Sequence, residues 1–297
     1  MREKFIESLI QLSRLYIRYS PVPYGKQAIF KAICWRSYEY DCQTVFGSRM
    51  RGNARDLVQG YIFYFGVWEP NLTSFVSRRL KGDQKRTFVD VGANVGYFSL
   101  LASKFLTEGR VVAIEAHPSI FKKLEENIKL NAESDIEAIH RAASDRAGML
   151  NIFHAGSENE GATTTITNRF NDDSSLVEAS TLDALLTDID ISAVKLIKID
   201  VEGAEYEVLK GMEGTLSCLP DDAEVIVEIT PSHEDPGRTQ WIFDYFNSLG
   251  YFAYGLSNNY DPLFYINRFE TEDPVRIVSY PENQIDVVFS KIRNHCL

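Results

Sequence analysis

The sequence predicts an α/β protein with a mostly parallel sheet covered by helices on both faces, preceded by a helical N-terminal extension. Three observations carry this. From Arg86 onward, short apolar runs of strand length alternate with helical segments. Most of those runs are apolar without a break, as strands buried on both faces are. The 297 residues are 44% hydrophobic and 25% charged, an ordinary globular balance that excludes a disordered or collagen-like chain.

In the first segment, Phe5, Leu9, Leu12 and Tyr16, beside Ile6, Ile10 and Ile17, form an apolar helical stripe. Pro21-Val22-Pro23 ends that helix. The aromatic run 60–70 reads as strand or turn, and Asn71 to Leu80 as a helix. Then follow a strand at Thr87–Val91, a helix at Val95–Phe105, a strand at Val111–Glu115, a helix at Pro118–Asn131 and a strand at Ile136–His140. Met149–Phe153 resembles a strand, Gly156–Thr165 a polar loop and Leu182–Leu186 a short helix. The closing series is strand Val194–Ile199, helix Ala204–Leu216, strand Glu224–Ile229, helix Thr239–Leu249, strand Tyr251–Leu256 and strand Ile285–Ser290. The last strand follows a long loop without a helix, so it inserts antiparallel. These elements divide the chain into an extension over 1–80, serving as a cap or contributing acceptor or oligomer contacts, and a main domain over 81–297.

The net charge is −11. Residues 1–55 carry ten Lys/Arg against four acids, a local +6, which leaves −17 on the remainder. An acidic body argues against nucleic acid as a partner, because the phosphate backbone would be repelled. Four cysteines lie far apart without metal-ligand spacing, which suits a reducing compartment. No run approaches the roughly 18 apolar residues of a membrane span, and early charges interrupt any secretory apolar core. The expected location is cytoplasmic. The basic N-terminal helices are expected to pack on the main domain or on a second copy in a homo-oligomer.

The sharpest motif is Val89-Asp90-Val91-Gly92-Ala93-Asn94-Val95-Gly96, where a strand turns into a helix. A dinucleotide site places a second glycine where Asn94 stands, so that backbone amides can close on a pyrophosphate. Asp90 adds a carboxylate that would repel pyrophosphate and suits a cofactor with a sulfonium and an ammonium. S-adenosylmethionine (SAM) carries both. Asp90, Gly92, Asn94 and Gly96 are therefore candidate cofactor contacts. Glu115 closes the next strand about 20 residues on, where an acid accepts from ribose hydroxyls. Ala116 and the small residues Ala142 and Ser144 are expected along the adenine.

The second motif is Lys198-Ile199-Asp200-Val201-Glu202-Gly203-Ala204-Glu205. Asp200 and Glu202 alternate around Val201, so both can face one pocket as general base, divalent-cation ligands or acceptor contacts. Asp200 is the candidate metal ligand. The plain alternative is a helix N-terminus decorated with acids that complement its dipole, the role expected of Glu205. Glu228 and His233 close the fifth strand at the same edge, and His233 is a candidate proton acceptor.

With these motifs, residues 57–230 resemble the FkbM-type family of SAM-dependent methyltransferases. The resemblance rests on Gly66-Val67-Trp68-Glu69-Pro70, Phe88–Phe98, Glu115 with Pro118, Thr181-Leu182-Asp183, Lys198–Glu205 with Leu209 and Gly211, and Val227-Glu228. It implies the Rossmann-like class I fold of six parallel strands and one antiparallel strand. It also implies O-methylation of a hydroxyl on a sugar or natural-product small molecule. Where the family commonly has Glu-Pro-x-Pro, this chain has Glu115-Ala116-His117-Pro118. The rival readings are a non-catalytic SAM- or nucleotide-binding module, a nicotinamide-dependent oxidoreductase, and a methyltransferase with an N-acceptor.

Overall fold

A computed structural model describes residues 2–34, 36–132, 134–154, 163–164, 174–231, 235–267 and 270–293. The chain begins with helices α1 (Arg2–Tyr19) and α2 (Lys26–Ile33), a hairpin of β1 (Glu39–Gln43) and β2 (Arg49–Asn53), and helices α3 (Leu57–Phe65) and α4 (Pro70–Leu80). There follow β3 (Thr87–Val91), α5 (Tyr97–Ser103), β4 (Arg110–Glu115), α6 (Pro118–Lys129), β5 (Ile136–His140), β6 (Ala142–Ala143), β7 (Gly148–His154), β8 (Thr163–Thr164) and β9 (Ser174–Ser180). The chain closes with α7 (Leu182–Leu185), β10 (Val194–Ile199), α8 (Glu205–Lys210), α9 (Glu213–Cys218), β11 (Glu224–Ile229), α10 (Pro236–Ser248), β12 (Phe252–Leu256), α11 (Pro262–Ile266), β13 (Val275–Arg276) and β14 (Ile285–Ser290).

The central sheet has the order β13-β12-β14-β11-β10-β3-β4-β5. Six strands run parallel, and β14 inserts antiparallel between β11 and β12, as expected. The sheet has eight strands rather than seven because the two-residue β13 pairs antiparallel along the β12 edge. A four-stranded sheet, β6-β9-β7-β8, stands beside it.

Two apolar layers sandwich the central sheet. On one face Phe88, Val111, Leu196, Ile226 and Val288 pack with the extension and with α5. On the other, Val89, Val112, Ile197, Val225 and Val287 pack with α8, α9 and α10. Burying a large apolar side chain stabilises by about 1.5–3 kcal/mol, so these layers supply the main driving force.

Three local expectations are corrected. The aromatic run forms α3, not strand or turn. Asp56 caps it by accepting from Gln59 N at 2.9 Å, and Ile62, Phe63 and Tyr64 are buried on all sides. A helix without a polar face shows no periodicity, which is why the run is ambiguous in sequence. In α1 the buried face is Ile10 and Ile17 with Ile6 against it, while Leu9 and Leu12 are exposed. The helix expected over 204–216 breaks at Gly211, where a Cβ would stand 1.9 Å from the Ser144 carbonyl oxygen.

The hairpin is fastened to α6 by buried amides. Asn127 accepts from Arg51 N at 2.7 Å and donates to the Val95 carbonyl at 2.9 Å. Asn131 accepts from Arg49 N and donates to Arg49 O, at 2.9 and 2.8 Å. No described helix is long and apolar enough to cross a membrane.

Candidate functional site

The turn after β3 is held from three sides. Gly92 and Ala93 both donate to the Ile114 carbonyl at 2.9 Å. Gly92 has φ +79, and a Cβ there would fall 1.8 Å from the Asp200 carbonyl oxygen, so only glycine lets the two strand ends meet. Asn94 also takes a positive φ of 50, and its N–H donates to Glu115 Oε2 at 2.8 Å. Glu115 Oε1 accepts from His117 N at 2.8 Å. Burial pushes the Glu115 carboxyl up to about 7 against the pull of those amides. His117 in turn caps α6, its Nδ1 accepting from Ser119 N at 3.1 Å.

Asp90 is wholly buried within β3 rather than lying at the mouth of the turn. Its Oδ2 accepts from Ser99 Oγ at 2.5 Å, while Oδ1 is buried with no hydrogen-bond partner. Burial raises its carboxyl, with Lys198 and Ser99 opposing. Sheet register explains the neighbour, because Asp90 pairs with Lys198 across β3 and β10.

Lys198 is 3% exposed, donates to Asp200 Oδ2 at 2.8 Å and lies 5.1 Å from the Phe98 ring centre. Burial alone would lower its ammonium, but Asp200, Asp90 and Glu69 outweigh that and hold it above the ordinary lysine range. A charge in the middle of a central strand thus serves as counter-ion to three carboxylates.

Around this ion pair the carboxyl edge of the sheet forms an acidic chamber. Asp200, Glu202 and Glu228 each place an oxygen within 4.8 Å of the others. Glu202 sits at φ 55. Glu228 accepts from Gln284 Nε2 at 2.6 Å and pairs with Asp286 across β11 and β14. Asp286 accepts from Asn258 Nδ2 at 2.5 Å. Burial pushes the Asp286 carboxyl up to about 7, with Lys198 opposing and Asp200 adding to it. Burial and the facing acids hold Glu228 well above its ordinary range. Glu69, from the turn before α4, is also buried and raised, first by burial and then by Asp286 and Asp200. Its Oε1 accepts from the Tyr260 hydroxyl at 2.8 Å, and Oε2 has no hydrogen-bond partner. The Tyr260 ring stacks on Trp68, 5.4 Å between centres and 29° between planes.

The structure thus gathers Asp90, Gly92, Asn94, Gly96 and Glu115 around one turn, with Asp200 and Glu202 at the adjoining strand end. Ala116 packs with Ala142, Ile152, Val177 and Ala179 in a small apolar patch beside Glu115. Ser144 continues the pairing of β6 with β9: its N–H donates to Ser180 O and its carbonyl abuts Gly211. Glu205 is a loop clamp, accepting from Val201 N and Gly203 N at 3.1 Å. His233 and most of the polar loop 156–165 lie outside the described residues. Sequence reasoning assigned no role to Glu69, Lys198, Tyr260 or Asp286. The lysine inside an apolar strand is the signal that could have found one of them.

Comparison with known proteins agrees with this architecture. Residues 90–253 match the model of the methyltransferase FkbM domain. Methyltransferase sdnD of Sordaria araneosa is 29% identical over 154 residues, covering 42% of this chain and 60% of that protein. Methyltransferase 1 of Beauveria bassiana is 25% identical over 165 residues, covering 50% and 66%. Hexuronic acid methyltransferase AglP of Haloferax volcanii is 29% identical over 140 residues, covering 47% and 54%. The matched regions thus span less than two thirds of each relative's own length. With the family model matching more than half of the sequence and the expected Rossmann-like sheet beneath it, the chain belongs to the FkbM methyltransferase family.

Proposed function

We propose that the chain transfers the methyl group of SAM to a hydroxyl of a sugar or other small polyhydroxylated natural product. The observation that carries this reading is the acidic chamber at the carboxyl edge, with Asp200, Glu202 and Glu228 converging within 4.8 Å beside the Trp68–Tyr260 stack. The Asp286 carboxyl beside them, pushed up to about 7 by burial, can be protonated or ionised near neutrality, so it can both donate and accept a hydrogen bond. An aromatic stack offers the apolar face of a sugar ring a flat surface. The name of the hexuronic acid relative supports this acceptor class.

The residues at the turn fit the cofactor. Asp90 Oδ1 is a buried carboxylate oxygen without a partner, suited to a positively charged ligand. Each Glu115 oxygen has a second lone pair, so it can take a ribose hydroxyl without releasing Asn94 or His117. Gly92, Asn94 and Gly96 bring backbone close to the ligand, and Ala116 and Ala142 leave room for a flat base. Ser144 is assigned to the far end of that slot. When bound, SAM supplies an electrophilic methyl on a positively charged sulfur.

A hydroxyl is a weak nucleophile until its proton begins to leave. Asp200 has one oxygen fixed by Lys198, which leaves the other for the acceptor hydroxyl, and it takes that proton. Glu202 and His233 are the proposed assistants. For Asp200→Asn, turnover with SAM and a panel of uronic acid glycosides should fall by roughly 10²–10⁴. Calorimetric affinity for S-adenosylhomocysteine should stay within about threefold. Undiminished turnover removes Asp200 as the base.

The same three carboxylates favour a second reading, in which they hold a hard divalent cation. An all-oxygen donor set suits magnesium, calcium or manganese. Bound there, the cation would polarise the acceptor oxygen. Chelation with EDTA should then abolish turnover and magnesium or manganese should restore it; turnover indifferent to EDTA refutes this reading.

A further inference from the structure

Near the acidic residues lies a cavity of about 400 Å³ with the opposite electrostatic character. Its apolar walls include Ile17, Phe65, Val67 and Ile266, and two cations, Arg18 and Lys26, enter it. Lys26 is 3% exposed, and its Nζ donates to the Ser20 carbonyl at 2.8 Å. Arg18 donates from Nη1 to the Gln43 carbonyl at 2.7 Å and lies 5.2 Å from the Tyr19 ring centre.

The Arg18 guanidinium has no carboxylate partner among the described residues. Arg79, Arg86, Arg110 and Arg141 each meet a carboxylate. Burial lowers the Arg18 guanidinium, and Arg14 nearby adds to the effect. Arg14 likewise has no carboxylate partner among the described residues and donates to the Phe63 carbonyl at 2.7 Å. The backbone makes room for Arg18 at Gly66, where φ is +75 and a Cβ would stand 2.3 Å from Cζ. A guanidinium is a strong ligand for carboxylate or phosphate, which it can bind through two parallel hydrogen bonds.

We propose that this cavity binds an amphiphilic small anion, with Arg18 and Lys26 holding a single carboxylate or phosphate monoester and the apolar walls covering its hydrocarbon part. The site stands independently of the methyl-transfer reading, although the two are neighbours. Val67 precedes Glu69 by two residues. Tyr265, also in the cavity wall, has its phenol raised first by burial and then by Glu69.

The test is calorimetry on the full chain with decanoate, decyl phosphate, decanol and inorganic phosphate. Decanoate and decyl phosphate should each bind at one site, at least tenfold tighter than decanol or inorganic phosphate. Arg18→Gln should weaken decyl phosphate at least tenfold. Val45→Glu should do the same; Val45 is an exposed lining residue, so this variant folds even where Arg18→Gln does not. Decanol binding as well as decanoate would mark a plain apolar crevice. Inorganic phosphate binding as well as decyl phosphate would mark a general anion site. Either result, no binding of the two amphiphiles, or unchanged affinity in both variants overturns the proposal. S-adenosylhomocysteine titrated into the same samples reports separately on the methyltransferase reading.

Discussion

Replacing Lys198 with Met tests the electrostatic framework of the acidic chamber directly. Lys198 is the counter-ion of Asp200 at 2.8 Å and also opposes the raised carboxyls of Asp90 and Asp286. Methionine keeps an unbranched chain over the Phe98 ring, so little cavity forms. What remains is the removal of one partner from a buried pair, which costs about 3–5 kcal/mol. At roughly 2–4 °C per kcal/mol, the midpoint of thermal unfolding should fall by about 6–20 °C. The loss should be larger at pH 8 than at pH 6, because protonation relieves the stranded carboxylates. Adding Asp200→Asn removes one of those charges and should recover part of the stability. The measurement is urea unfolding of wild type, Lys198→Met and the double variant at both pH values. A loss below about 1 kcal/mol at pH 8, or a double variant no more stable than the single one, refutes the assignment.

Two further outcomes follow from the turn after β3 and the chamber. Glu115→Ala removes the acceptor of two backbone amides as well as the proposed ribose contact. It should weaken S-adenosylhomocysteine by at least tenfold in calorimetry, and unchanged affinity excludes Glu115 from the site. The carboxyls of Glu115 and Asp286 are each pushed up to about 7, from ordinary values of 4.5 and 3.8. A carboxyl whose folded value is raised contributes stability that is fully present below its unfolded value and lost as pH climbs through the folded one. The ligand-free chain should therefore melt higher at pH 6 than at pH 8; a midpoint that rises with pH over this window contradicts the burial of these acids.

The sheet and its turn were legible because their signals are local. The run Thr87–Val91 followed by Gly92, Asn94 and Gly96 states a strand, a turn and a helix within ten residues. Glu115 stands at the end of the next strand by simple spacing. The chamber is a different case. Tyr260 and Glu69 meet from positions 191 residues apart, and Asp286 reaches Glu228 only through antiparallel pairing. No spacing within one segment encodes such convergence; it depends on register across the sheet. Lys198 was visible as a charge in an apolar strand, but its partners were not. The aromatic helix α3 escaped because burial on every side erases the periodicity that marks a helix. Loop residues such as Asn258 and Gln284 carry no pattern of their own.

The Asn127 and Asn131 clasp ties the opening hairpin to the helix that follows β4, and through Val95 to the turn after β3. A graft that exchanged residues 1–55 for those of another family member would therefore have to present the same backbone amides at the same two places.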